Sequence, residues 1–504
     1  MNEKPEALKS LKARLQEISD LDSALSILHW DQSTYMPAGG AKARARTTAT
    51  LGKLAQEKLT DPEIGRLLDA LEPYVADLPY EDDDASLVRI TRRDFEKAIK
   101  VPPAFMAEFF SHAAVSFSTW AKARPENDFK AVEPMLEKTL ELSRRYSDFF
   151  PGYDHPADPH IDRSDYGMRA ASIRELFTEL RQQLVPLVQA IGDQPLADDS
   201  CLKQYFPRSA QLRFGEWVVR QFGYDFDRGR QDLTPHPFMT GFSVDDVRIT
   251  TRVNEQFLSE AIFGTMHEAG HAMYGQGIDI KYEATPLASG TSSGVHESQS
   301  RLWENLVGRS LPFWRRFYPQ LQATFPEQLG EVPLTEFYKA VNKVERSLIR
   351  VEADEVTYNL HVMIRFDLEL EMLEGTLAIK DLPEAWHARY ESDLGLRAPD
   401  NRNGVMQDIH WFDGMIGGSF QGYTLGNIMS ALFFDQAKAQ HHGLIGEIEN
   451  GEFSALLSWL QENIYKHGRK YTADDLVRRI SGGPLTIEPY IDYLKTKFGD
   501  LYGV

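Results

Sequence analysis

Cysteine occurs once in 504 residues, at Cys201, so neither an intramolecular disulfide nor a cysteine-based metal cluster can form. Any metal must be taken by histidine and carboxylate. Long apolar runs are also missing. The 42% of hydrophobic residues are dispersed, and no stretch approaches the ~20 residues that a membrane-crossing helix requires. Positive charge is in deficit, with 55 Lys and Arg against 75 Asp and Glu for a net charge of −20. No Lys/Arg-rich block reverses that sign locally, so the surface repels nucleic acid phosphates and anionic lipid. Nucleic acid and membrane are therefore poor partners. Met1-Asn2-Glu3-Lys4-Pro5 leads into a charged segment with no apolar signal core and no small-residue cleavage site, and the expected location is cytoplasmic.

Strand signal is scarce as well. Val247, Ile249, Thr251 and Val253 alternate with polar neighbours, the period of a strand with one buried face; Ile278, Ile280 and Tyr282 give a second, weaker case. What is abundant is helical periodicity. Leu8, Leu11, Leu15, Ile18, Leu21, Leu25 and Leu28 fall on one stripe of a long helix, which Pro37, Gly39 and Gly40 should break. Thr472 with Asp475 reads as a capping pair, and Ser481-Gly482-Gly483-Pro484 as the stop of the helix it starts. The expected fold is mainly α with a small β-sheet beside the chemistry. At this length one core stops growing, so residues 1–504 are expected as a single unit of two helical lobes without a marked boundary. Asp154-His155-Pro156-Ala157-Asp158-Pro159-His160 mixes His and Asp, but its prolines favour a surface loop over a metal site.

His267-Glu268-Ala269-Gly270-His271 matches H-E-x-x-H within a helical stretch. Residues four apart on a helix lie one above the other, so both imidazoles can meet one cation, and Glu268 stands beside it as the general base of a hydrolase. The pattern alone arises by chance in roughly one or two chains per hundred of this length. Its context therefore matters. Downstream, His296-Glu297-Ser298 lies at a distance that lets a second helix return a third ligand. Glu297 would complete a His₂Glu set with an open fourth position; His296 is the alternative, and adjacent helical residues cannot both face the ion. Spacing leaves the choice open.

These residues resemble the carboxypeptidase Taq family of zinc metallocarboxypeptidases over almost the whole chain. The resemblance rests on five ordered motifs: Asp246-Val247-Arg248-Ile249-Thr250, the H-E-x-x-H, the H-E-S at His296, Ile349-Arg350-Val351-Glu352-Ala353-Asp354, and Gly404-Val405-Met406-Gln407-Asp408-Ile409-His410-Trp411. Gly275, where the family more often has an acidic residue, and the segment from Asp154 to Arg163 depart from its pattern. The resemblance favours Glu297 as third ligand. It implies an elongated zincin-like fold with a long substrate groove, a homodimer, zinc replaceable by cobalt as the metal, and release of single residues from peptide C-termini with broad specificity.

Two roles remain to be filled. Charge developing on the substrate oxygen needs a hydrogen-bond donor, for which His410 and Tyr423 are the candidates. The terminal carboxylate suits a planar arginine fork, with Arg350 first and Arg248 second; the alternative for Arg350 is a structural ion pair, for instance with Asp354. Asp246 and Asp408 are expected to orient their neighbours. Two rival functions are an endo-acting zinc oligopeptidase and a non-catalytic helical scaffold. The retained base Glu268 argues against the latter.

Overall fold

The structure, a computed structural model, describes residues 5–504, so residues 1–4 of the N-terminal reading lie outside it. Helices dominate, as the periodicity predicts. The leucine stripe forms the helix Glu6–Thr34, which buries Leu8, Leu11 and Leu15 and ends before Pro37. The capping pair is present: Thr472 accepts from the Asp475 amide and the Asp475 side chain accepts in return, starting Ala473–Ser481, which Gly482 ends in the left-handed region. No described helix is long and apolar enough to cross a membrane.

Three short strands form the sheet: β1 (Gln231–Leu233), β2 (Met239–Ser243) and β3 (Asp246–Thr251). Their order is β1-β3-β2, with β3 parallel to β1 and antiparallel to β2, and with a bulge between Gly241 and Ser243. The predicted strand at Val247 is thus the central one. The second predicted strand is not formed. Ile278 and Tyr282 are buried while Ile280 is exposed, a four-residue period. Asp279 caps the resulting 3₁₀ turn, Ile280–Tyr282, by accepting from the Lys281 amide.

The loop expected around His160 is also corrected. Asp158–Ser164 is a short helix with Pro159 in its first turn, where proline's missing N–H is no loss. Asp158, His160 and Asp162 are buried and consumed by structure: Asp158 accepts from the Ala170 amide at 2.7 Å, and His160 Nε2 meets the Ser143 carbonyl at 3.0 Å.

The largest apolar core runs through the helix Leu258–Gln276, the helix Ser293–Arg301 and the helix Gln421–Gln440. A second core joins the N-terminal helices to the sheet through Leu8, Leu11, Val88, Val244 and Tyr282. A third gathers Phe105, Phe109, Tyr146 and Met415.

Candidate metal centre

Leu258–Gln276 carries the H-E-x-x-H and is packed on nearly every side. From Ala261 to Gln276 the residues that are not buried are Gly264, His267, His271 and Gly275, one stripe at helical spacing. Burial of the other faces fixes the rotation of the helix and presents both imidazoles together. Gly275 faces β3 closely: a Cβ there would meet Val247 Cγ1 at 3.2 Å, so a side chain at this position would press on the Val247 side chain.

The helix Ser293–Arg301 starts at Ser292, whose side chain accepts from the Val295 amide. Two glycines let it approach its neighbours. A Cβ on Gly270 would lie 2.6 Å from the Gln299 carbonyl oxygen, and one on Gly426 would lie 2.6 Å from Glu297 Cβ. Glu297 is thereby pressed between the two flanking helices. Its Oε2 stands 3.3 Å from His271 Nε2 and 3.7 Å from His267 Nε2, and the three donor atoms lie within 4.8 Å of one another. A tetrahedral ion with bonds of about 2.0–2.1 Å separates its donors by about 3.3–3.4 Å, so this set fits such an ion.

The other atoms of these side chains are held from behind. His267 Nδ1 is 2.9 Å from Glu304 Oε2. His271 Nδ1 is 2.6 Å from His296 Nδ1. A neutral imidazole that keeps Nε2 free for a cation carries its proton on Nδ1 and donates it backwards, so His296 serves as the acceptor behind His271 and does not compete with Glu297. Glu297 Oε1 accepts from Arg301 Nε at 2.7 Å. Past Arg301 the helix widens into a π-helical turn, Leu302–Val307, a geometry frequent at functional sites. Glu304 sits on that turn. The sequence reading assigned no role to Arg301 or Glu304, although they follow Glu297 by four and seven residues and hence share its face.

The electrostatics agree with these roles. Burial raises the Glu268 carboxyl above its usual range against the pull of His267 and His271, as a proton acceptor requires. Burial would raise Glu297 too, but Arg301 and the two histidines outweigh it and hold it low. Glu304, likewise buried, is held at about 2 by His267 and Arg301. Burial and the neighbouring His271 push His296 down to about 3, so it stays neutral.

A second cluster is built on Asp408. Its carboxylate accepts from Arg350 Nε at 2.6 Å and Nη2 at 3.1 Å, from Arg365 Nε at 2.9 Å and from His410 Nδ1 at 2.6 Å. Although burial opposes it, Arg365, His410 and Arg350 hold Asp408 far below the carboxylate range. His410 Nε2 lies 3.4 Å from the Tyr423 hydroxyl, and Glu297 is among the charges that Tyr423 feels. Arg350 donates Nη1 to the Tyr358 hydroxyl at 3.1 Å, and the Tyr358 ring lies under the Arg301 guanidinium at 4.7 Å. Tyr358 thus links the two clusters, and nothing in its sequence context singled it out. Asp354, the alternative partner of Arg350, instead accepts from the amides of Val356 and Thr357. Arg248 is occupied elsewhere. It pairs with Asp246 through two 2.8 Å bonds and lies over the Trp30 ring at 4.5 Å. A cavity of about 440 Å³ opens beside the centre, lined by Gly275, His296, Phe242, Asp22 and Thr285.

Comparison with known proteins finds relatives over the full length of the chain. The family described as carboxypeptidase Taq (M32) metallopeptidase matches residues 10–498. Thermostable carboxypeptidase 1 of Thermus thermophilus is 41% identical over 509 residues, covering 99% of each chain. Carboxypeptidase 1 of Bacillus subtilis is 34% identical over 491 residues, covering 97% of each. The crystal structure of an M32 carboxypeptidase from Deinococcus radiodurans superposes with a TM-score of 0.97 at 50% identity, covering 99% of this chain and 100% of that one.

Proposed function

The chain belongs to the carboxypeptidase Taq (M32) metallopeptidase family, and from that premise we propose that its metal is zinc, held by His267, His271 and Glu297, with Glu268 as general base. It is a metallocarboxypeptidase, acting on peptides with a divalent metal. The observation that carries the finer reading is the convergence of two imidazole Nε2 atoms and one carboxylate oxygen next to a buried carboxyl raised in pKa.

When bound, the metal supplies Lewis acidity to the scissile carbonyl and lowers the pKa of water. Glu268 takes the proton of the attacking water and returns it to the departing amine. Tyr423 and His410 donate to the oxygen on which charge develops; Asp408 fixes the His410 ring for that task. Arg350 receives the terminal carboxylate. Asp408 takes Nε and one Nη2 bond and Tyr358 one Nη1 bond, which leaves one further N–H on each Nη nitrogen for a carboxylate. Arg248, consumed by Asp246, is the weaker candidate. A homodimer in the cytoplasm completes the proposal; a single-chain mass in sedimentation or recovery outside the cytoplasm would remove these parts.

Elemental analysis should find about one zinc per chain. Glu268→Gln should keep that zinc and lose nearly all turnover, whereas Glu297→Ala should lose the zinc. Full activity in a verified metal-free preparation, or in Glu268→Gln, would overturn the reading.

A further inference from the structure

Glu369 is fully buried on the helix Tyr358–Glu374, away from the metal ligands, and no step above uses it. Its Oε1 accepts from the Trp411 indole N–H at 3.0 Å. Its Oε2 has no partner at hydrogen-bond geometry, although the amides of Gly417 and Ser419 lie near enough to favour its charged form. Trp411 follows His410 directly, and the turn at 417–419 leads into the helix that carries Tyr423. That turn needs its glycines. Gly417 and Gly418 have φ of 108° and 73°, and a Cβ on Gly418 would lie 2.5 Å from the His160 carbonyl carbon. The segment between His410 and Tyr423 is thus seated on the Asp158–Ser164 helix and tied from beneath by one carboxylate.

We propose that Glu369 is a positioning residue: by holding the Trp411 indole and the 417–419 turn, it keeps His410 and Tyr423 at the separation that peptide hydrolysis requires. The inference rests on the roles given above to His410 and Tyr423. An uncompensated buried carboxylate is costly, and a merely structural need would be met by an amide or an apolar side chain. What the carboxylate adds is an acceptor for several N–H groups at once. That capacity depends on its proton. Burial pushes Glu369 up to about 7, with the like charge of Asp408 adding to the rise. Arg365, one turn earlier, is bound by Asp408 and Gln407, His160 behind the turn is held neutral, at about 3, by burial, and burial raises Asp413, two residues past Trp411. His410 is clamped by Asp408. Protonation below neutrality therefore loosens the tie, and ionisation above it tightens the tie.

The test compares Glu369→Gln, Trp411→Phe and their double variant with the metal-loaded wild type on one peptide substrate, from pH 5.5 to 8.5. Gln keeps one acceptor but no charge; Phe keeps the ring but loses the N–H. Each single variant should lower kcat roughly tenfold or more, leave KM within about twofold and keep the wild-type metal content. The double variant should be no worse than the weaker single variant, as expected of residues acting through one contact. Glu369→Gln should also flatten the change in kcat near pH 7. Should Glu369→Gln fail to fold, Trp411→Phe alone decides by the same kcat and KM criteria. Wild-type kcat in either single variant overturns the inference, provided Tyr423→Phe and His410→Ala lose activity. If those two also keep it, the assignment of His410 and Tyr423 is what fails.

Discussion

At the scale of single residues, the carboxylates are distinguished by what stands behind them. Asp408 neutralises two buried guanidiniums, so Asp408→Asn strands both and should cost about 3–5 kcal/mol of stability at pH 7. The sign with pH follows from its depressed pKa. A carboxylate lowered in the folded state contributes stability above the unfolded value of about 3.9 and loses it as pH falls further. Urea unfolding should therefore show the gap between wild type and variant shrinking below about pH 4; a gap constant down to pH 3 would contradict the pairing. Arg350→Ala should lower activity on a free-acid peptide far more than on its amide, by roughly 2–4 kcal/mol of transition-state binding. Equal losses on both substrates would return Arg350 to a structural role. His296→Ala should still bind about one metal per chain, with affinity weakened about 10–100-fold, since it touches the far nitrogen of His271. Complete metal loss on titration would restore His296 as a ligand.

At the scale of elements, the site depends on how closely three helices approach. Gly270→Ala places a methyl against the backbone of the helix bearing Glu297, and such overpacking costs about 1–3 kcal/mol. Because the strain falls on the ligand-bearing helix, metal affinity should drop along with thermal stability; a variant with unchanged affinity would show that the glycine is not needed for approach. These elements also mark how far the sequence could be read. The helices, the β3 alternation, the Thr472 cap and the His267–His271 pair were legible because each follows from spacing within a few residues. Ile278–Tyr282 was misread because alternation of three side chains cannot separate period two from period four. Residues 154–157 form the expected loop, but 158–160 were misread because proline is neutral in a helix's first turn, and a turn some 250 residues downstream helps to bury His160. Tyr358 and Glu369 carry no local signature; their roles exist only where distant segments meet.

At the scale of the whole molecule, packing is uneven. The N-terminal helix Glu6–Thr34 buries four of its residues, Leu8, Leu11, Leu15 and Trp30, whereas the H-E-x-x-H helix is covered on all but one stripe. Segments with fewer buried contacts open at lower free energy. Hydrogen exchange should therefore proceed faster through residues 16–29 than through 261–274, and equal protection would argue for a uniformly cooperative molecule. The uncovered stripe, Gly264-His267-His271-Gly275, has a further consequence. On this stripe the helix carries no side chain but the two imidazoles, and Val247 of β3 packs against its Gly275 end, so the helix itself offers little by which to tell a bulky residue from a small one. Discrimination among peptides must be written on whatever faces the stripe from the other side.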